Sequence, residues 1–147
     1  MNDDLSTIEL DQFSPYPPQQ VWRVLTDPEL LGRWLMPATG FRPVAGTTFR
    51  MQTPAMPGVG FSGTVDATVL EAIAPKRLSM TWNDAESDRE TGWVITWQLE
   101  PEGDGTRILF THTGFDPDDA MAQRVRAMMS KGWSGIHAAL ATLLAEQ

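Results

Sequence analysis

A chain of 147 residues buries about 70% of its unfolded surface when it folds as one unit. With 41% hydrophobic and 20% charged residues, a single globular domain over residues 1–147 is expected. The formal charge of −8, with 11 scattered Lys and Arg, excludes the clustered basic surface that nucleic acid or an anionic membrane requires. The absence of cysteine excludes thiol catalysis, thiolate metal sites and disulfides, and points to a cytoplasmic location. The acidic start at Asp3 and Asp4 and the lack of a long apolar run predict neither a signal peptide nor membrane insertion.

In chain order, residues 5–13 read as a first strand. Ile8 and Leu10 fall in one phase and Phe13 in the other, so a bulge is expected and the inner face stays open. Pro17 and Pro18 suit the first turn of a helix carrying Val21, Trp22 and Leu25. Asp27, Pro28 and Glu29 repeat the start signal for a second short helix with Leu30, Leu31, Trp34 and Leu35, which Pro37 ends. Residues 41–52 form the next strand, with Thr47, Phe49 and Met51 on one face. Residues 52–62 are an irregular connector. Strands at 61–73 and 77–82, joined by Ala74, Pro75 and Lys76, put Val65, Ala67, Val69, Leu78, Met80 and Trp82 inward, and 83–91 read as a solvated loop.

The last third is the most explicit. Trp93, Ile95, Trp97 and Leu99 alternate with polar residues, the turn runs from Pro101 to Gly105, and Ile108, Phe110 and His112 face inward on the returning strand. From Asp118 to about Glu146 no proline occurs, and Met121, Val125, Met128, Met129, Trp133, Ile136, Leu140, Leu143 and Leu144 recur at helical spacing. Such a helix is about 43 Å long, against a radius of gyration of about 15 Å for a compact chain of this size. It must lie across the whole domain. The fold class is therefore α+β: an antiparallel sheet of about six strands around one long C-terminal helix, with two short helices after strand one. A sheet wrapped round a single rod rarely fills its own concavity, so a pocket is expected.

The residues expected to line that pocket are Trp34, Phe49, Met51, Met80, Trp82, Trp93, Ile95, Trp97, Phe110, His112, Met128, Met129, Trp133 and Ile136, a set of rings and thioethers suited to a flat or greasy ligand. Core packing alone accounts for many of them. His112 is the one candidate catalytic residue, because an inward imidazole can orient a carbonyl or act as a base; a satisfied core histidine is the commoner case. His137 lacks a second ligand at metal spacing, and Asp116, Asp118 and Asp119 read as a helix start, so no metal is expected. Gly58, Gly60 and Gly63 match a dinucleotide loop in spacing, but a strand follows them, so no cofactor is expected. Ser134 lies in a helix, not at a nucleophile elbow. Gly132 and Gly135 weaken a helix interior, which predicts compensation by close approach of the sheet or by pocket volume. Arg33 is a candidate charge at the mouth of the pocket, although a solvated surface arginine is the commoner case.

Residues Pro18 to Trp34, with Val21, Trp22, Leu25, Asp27, Pro28, Glu29 and Arg33, resemble the opening of the START-like, helix-grip (SRPBCC) superfamily, in the branch of the Aha-type activators of a heat-shock chaperone ATPase. Ala74, Pro75, Arg77, Leu78 and Trp82 match its strand-turn-strand element, Gly105, Thr106, Arg107, Thr111, His112, Gly114 and Phe115 its last hairpin, and Gly132, Trp133, Leu140 and Leu143 its closing helix. Leu35 and Met36 stand where many members have tryptophan and glycine, and Ala45 precedes Gly46 where a glycine pair is common. The resemblance implies binding of a small hydrophobic molecule between sheet and helix. A second reading is a cyclase-like enzyme using His112 with Glu71 or Arg33 as a polar helper. A third is a chaperone-associated interaction module using the outer sheet face, which reads polar and threonine-rich. The activators naming the branch carry a further N-terminal domain for which 147 residues leave no room.

Overall fold

The computed structural model of the protein describes residues 4–55, 61–87 and 89–147. The elements run β1 (Thr7–Ser14), α1 (Pro18–Thr26), α2 (Pro28–Trp34), β2 (Ala38–Thr39), β3 (Thr48–Gln52), β4 (Thr64–Ile73), β5 (Arg77–Thr81), β6 (Asn83–Asp84), β7 (Val94–Glu102), β8 (Gly105–Thr113) and α3 (Ala120–Ala145). All pairings are antiparallel in the order β1-β8-β7-β5-β4-β3-β2, with β6 beside β4. The α+β helix-grip architecture is thus the observed one. Six strands have five or more residues, and β2 and β6, of two residues each, are the additions. Strands that short leave no alternation to read.

The β7–β8 hairpin carries the expected phase: Ile95, Trp97, Leu99, Ile108, Phe110 and His112 are all buried. Its turn is tighter than the span from Pro101 to Gly105, because pairing continues to Glu102↔Gly105 and leaves Gly103 and Asp104 as a two-residue loop. Gly103, at φ 58, supplies the positive dihedral that such turns need. At Gly105 a side chain would run into the Ser14 carbonyl and the Phe13 ring, so glycine there lets β1 close on β8.

Strand β1 has no bulge. Its register with β8 is unbroken from Thr7↔Thr113 to Ser14↔Thr106. Ile8, Leu10 and Gln12 face inward, and Phe13 faces out, where the Arg107 guanidinium lies 5.6 Å from its ring centroid. The outward aromatic had a cationic partner, not a register break. The irregularity falls instead in β4, between Val69 and Glu71. The strand expected over 41–52 is confined to its last five residues, and 83–91 is only partly a loop. Asn83–Asp84 pairs with β4, and Asp84 Oδ2 accepts from the Ser62 amide at 2.9 Å. Bonds from the Ser62 hydroxyl and the Glu86 amide hold the Asp84 carboxyl below the ordinary aspartate range.

The helices start as their residues dictate. Asp27 Oδ1 accepts from the Glu29 amide at 2.9 Å, and Asp119 Oδ1 from the Met121 amide at 3.0 Å. Helix α3 therefore begins at Ala120 and spans 26 residues, about 39 Å. It packs along α1, α2 and β1, and no helix among the described residues is long and apolar enough to cross a membrane. Its burial is uneven. From Trp133 onward Trp133, His137, Leu140, Leu143 and Leu144 are buried, while none of residues 120–132 is. Side chains at Gly132 and Gly135 would meet open space, and both glycines are exposed, so neither close approach nor pocket volume accounts for them.

Candidate functional site

Three rows of side chains cross the inner face of the sheet, set by strand register. One runs Ile8, His112, Ile95, Met80, Val69, the next Leu10, Phe110, Trp97, Leu78, Ala72, and the third Gln12, Ile108, Leu99. Trp133 descends on them from α3, its ring centroid 4.6 Å from Phe110, 5.3 Å from Trp82, 6.1 Å from Trp97 and 6.0 Å from His112. Trp34 meets Trp97 edge-on at 5.7 Å from below. Long aromatic side chains thus fill the space between the helix and β7–β8. Each fully buried indole contributes up to about 4–6 kcal/mol of burial free energy.

Two histidines are bonded into this cluster. The Trp97 indole N–H donates to His137 Nε2 at 3.0 Å, and His137 Nδ1 lies 2.8 Å from the Trp133 carbonyl oxygen. An indole N–H only donates, so Nε2 accepts, Nδ1 carries the proton, and Nδ1–H donates to the carbonyl. The Trp133 indole N–H donates likewise to His112 Nδ1 at 2.9 Å, which places the His112 proton on Nε2. That Nε2 is buried without a partner among the described residues. Such a donor costs about 1–3 kcal/mol, less than one buried indole contributes. Burial pushes His112 down to about 3, and pushes His137 below its ordinary value against the Trp133 carbonyl.

The two ends of the cluster differ. At the end nearer α1 and α2, Trp34 donates to the Val24 carbonyl at 3.1 Å, and Trp34, Val24 and Trp97 are all buried. At the other end the rings of Trp93 and Phe115 pack on His112 at 4.6 and 4.5 Å, and Trp93 is only half-buried; on α3, before Trp133, Val125, Met128 and Met129 are half-buried as well. Thr91 organises this rim: its hydroxyl donates to the Trp82 carbonyl at 2.6 Å and accepts from the Trp93 amide at 3.0 Å.

Of the residues expected to line a pocket, Trp82, Trp93, Ile95, Trp97, Phe110, His112 and Trp133 come together here. Met80 is buried in the His112 row, and Met129 and Ile136 lie partly buried against the core from the helix. Phe49 and Met51 are buried on β3, where Phe49 pairs edge-on with Phe41 at 4.9 Å. The suggested polar helpers are elsewhere. Glu71 accepts from Arg77 Nε at 3.1 Å beside Gln98, and Arg33 pairs with Glu146 at 2.9 Å across the ends of α2 and α3. Arg33 and Glu146 border a surface hollow of about 340 Å3. A second hollow, of about 380 Å3, lies by the β4–β5 turn and the end of β7, and neither includes a residue of the His112 rim.

Gly58 and Gly60 of the glycine-rich segment lie outside the described residues. No group of three His, Asp or Glu among the described residues is placed to hold a metal, and Asp116 and Asp119 bond the Asp118 and Met121 amides at the start of α3. Thr91, Phe115 and the His137 bond to Trp97 were missed in the sequence. Phe115 follows a strand end, and Trp97 and His137 are 40 residues apart.

No curated protein matches this sequence. Among solved structures, protein MLL2253 from Mesorhizobium loti superposes with a TM-score of 0.82 at 29% identity, covering 96% of this chain and 98% of its own. The Aha1 dimer from Colwellia psychrerythraea follows at 0.77 and 20% identity, covering 94% and 95%. CalU16 from Micromonospora echinospora gives 0.72 and 22%, covering 94% and 75%. The family model described as Activator of Hsp90 ATPase homolog 1-like protein matches residues 15–145, and the chain belongs to that family.

Proposed function

We propose that the protein binds one small hydrophobic molecule, aromatic or acyl, between the inner face of the sheet and the first half of α3, as a carrier or sensor in the cytoplasm. The uneven burial of α3 carries this reading. Its second half is locked to the core, whereas residues 120–132 bury nothing completely and shelter half-buried Val125, Met128 and Met129. Trp133, where that first half ends, packs on Trp82 at 5.3 Å and bonds to His112, against which Trp93 and Phe115 lie. Rings and thioethers that can repack make a low-cost site for a flat apolar guest. Carrying is favoured over catalysis because, among the described residues, the group hydrogen-bonded to the His112 ring is an indole, and neither suggested helper reaches it.

Titration with N-phenyl-1-naphthylamine, read by energy transfer from tryptophan, tests this. Saturable one-to-one binding is expected. Met129→Trp, with its unfolding midpoint preserved, is expected to weaken binding about tenfold by competing with the ligand for the apolar surface beneath α3. Absence of saturable binding to the wild-type protein contradicts the proposal.

A further inference from the structure

The rim of this site holds one polar atom that the fold leaves without a partner. His112 Nε2 is buried and unbonded among the described residues, and the Trp133 indole at Nδ1 fixes the proton on Nε2. This edge of the ring can donate and cannot accept. Ile8 and Ile95 flank the imidazole on the neighbouring strands, and Trp93 and Phe115 pack on it. Ile8, Ile95, Phe115 and Trp133 are buried; Trp93 alone is half-buried. Of the groups against the imidazole, the Trp93 indole is thus the one with an edge toward solvent, and the one a ligand can replace.

We propose that His112 determines specificity at this site, its Nε2–H donating to the carbonyl oxygen of a neutral, flat ligand that takes the place of the Trp93 ring. The inference rests on the ligand-binding reading above and narrows it to a chemical class. A ligand whose only polar group is an N–H donor finds no acceptor there and binds by apolar burial alone. A carboxylate is disfavoured because the groups facing the imidazole, Ile8 from β1, Ile95 and Trp93 from β7 and its approach, Phe115, and Trp133 from α3, are all uncharged, and a buried charge needs a partner. The ring being replaced is an indole, so the matching guest is a bicyclic aromatic ketone, quinone or ester.

Two probes of nearly equal shape separate the hydrogen bond from simple apolar burial: 2-acetylnaphthalene, which has the carbonyl, and 2-ethylnaphthalene, which lacks it. The hydrocarbon is the more hydrophobic, so burial alone favours it. The expected result is about tenfold tighter binding of the ketone. The His112 Nε2–H proton resonance should move when the ketone is added and stay still when the hydrocarbon is. His112→Gln should keep the preference through its amide donor, and His112→Phe should lose it while binding the hydrocarbon within about threefold of wild type. The resonance needs no variant, so a Phe variant that fails to fold leaves the test standing. Equal affinities, or an unmoved resonance, overturn the hydrogen bond and leave the ligand-binding reading intact; failure of both naphthalenes to bind removes that reading and this inference with it.

Discussion

Each of the two histidines receives an indole N–H on one ring nitrogen, and that bond exists only while the imidazole is neutral. Charging His112 would put a proton on the nitrogen that accepts from Trp133, and charging His137 would do the same opposite Trp97. Burial acts in the same direction, lowering His112 from 6.5 to about 3 and His137 below its ordinary value. The unfolded chain takes up a proton at each imidazole as pH falls through about 6.5, while folded His112 does not until about 3. The unfolded state therefore binds more protons across that window. Stability from this group is full above 6.5 and falls by about 1.4 kcal/mol per pH unit below it. Urea unfolding of wild type and His112→Gln from pH 7 to 4 isolates the effect: the wild-type advantage should shrink steadily as pH falls. Parallel curves would show that His112 is not held neutral.

Among the elements, α3 is the least uniform. Its first half is tied to the start of the chain by polar side chains: Gln123 donates to the Leu5 carbonyl at 2.8 Å, and Arg126 to the carbonyls of Thr7 and Asp4 at 3.0 Å each. Its second half is held by buried apolar residues. Gly132 and Gly135 lie at the boundary with open space beside them, and nothing in their packing requires glycine. Alanine at either should raise stability by about 1 kcal/mol through helix propensity alone, read as a rise of several degrees in the thermal midpoint. A fall would show that the helix needs glycine there for a reason its contacts do not reveal. The sequence could not settle this, because helical spacing identifies a face without fixing how a rod is rotated against a sheet. The same limit applied to β1. Ile8 and Leu10 stated its phase correctly, and Phe13 obscured it because its partner Arg107 is nearly a hundred residues away. Where both partners lie on one hairpin, as for Trp97 and Phe110, alternation was enough.

At the scale of the molecule, the order of strands, two short helices and one long helix was legible because each element carries its own pattern and its own start signals. The organisation of the site was less so. Trp82, Trp93, Trp97, Phe110 and Trp133 were readable as inward-facing, but not which of them seal the interior and which border solvent. That distinction comes from how little of α3 is fully buried before Trp133, and from Thr91 bonding two tryptophans out of a segment that reads as a polar loop. The proposed site is specific in place: a ligand enters at the Trp93 rim and not at either surface hollow. The six indole N–H resonances report on this one by one. On titration with N-phenyl-1-naphthylamine, the resonances of Trp82, Trp93 and Trp133 should move together and saturate, while that of Trp22, on the first short helix, stays fixed. Saturating shifts confined to the backbone amides around Arg77 and Glu100, or around Arg33 and Glu146, with those three indoles unmoved, would contradict it.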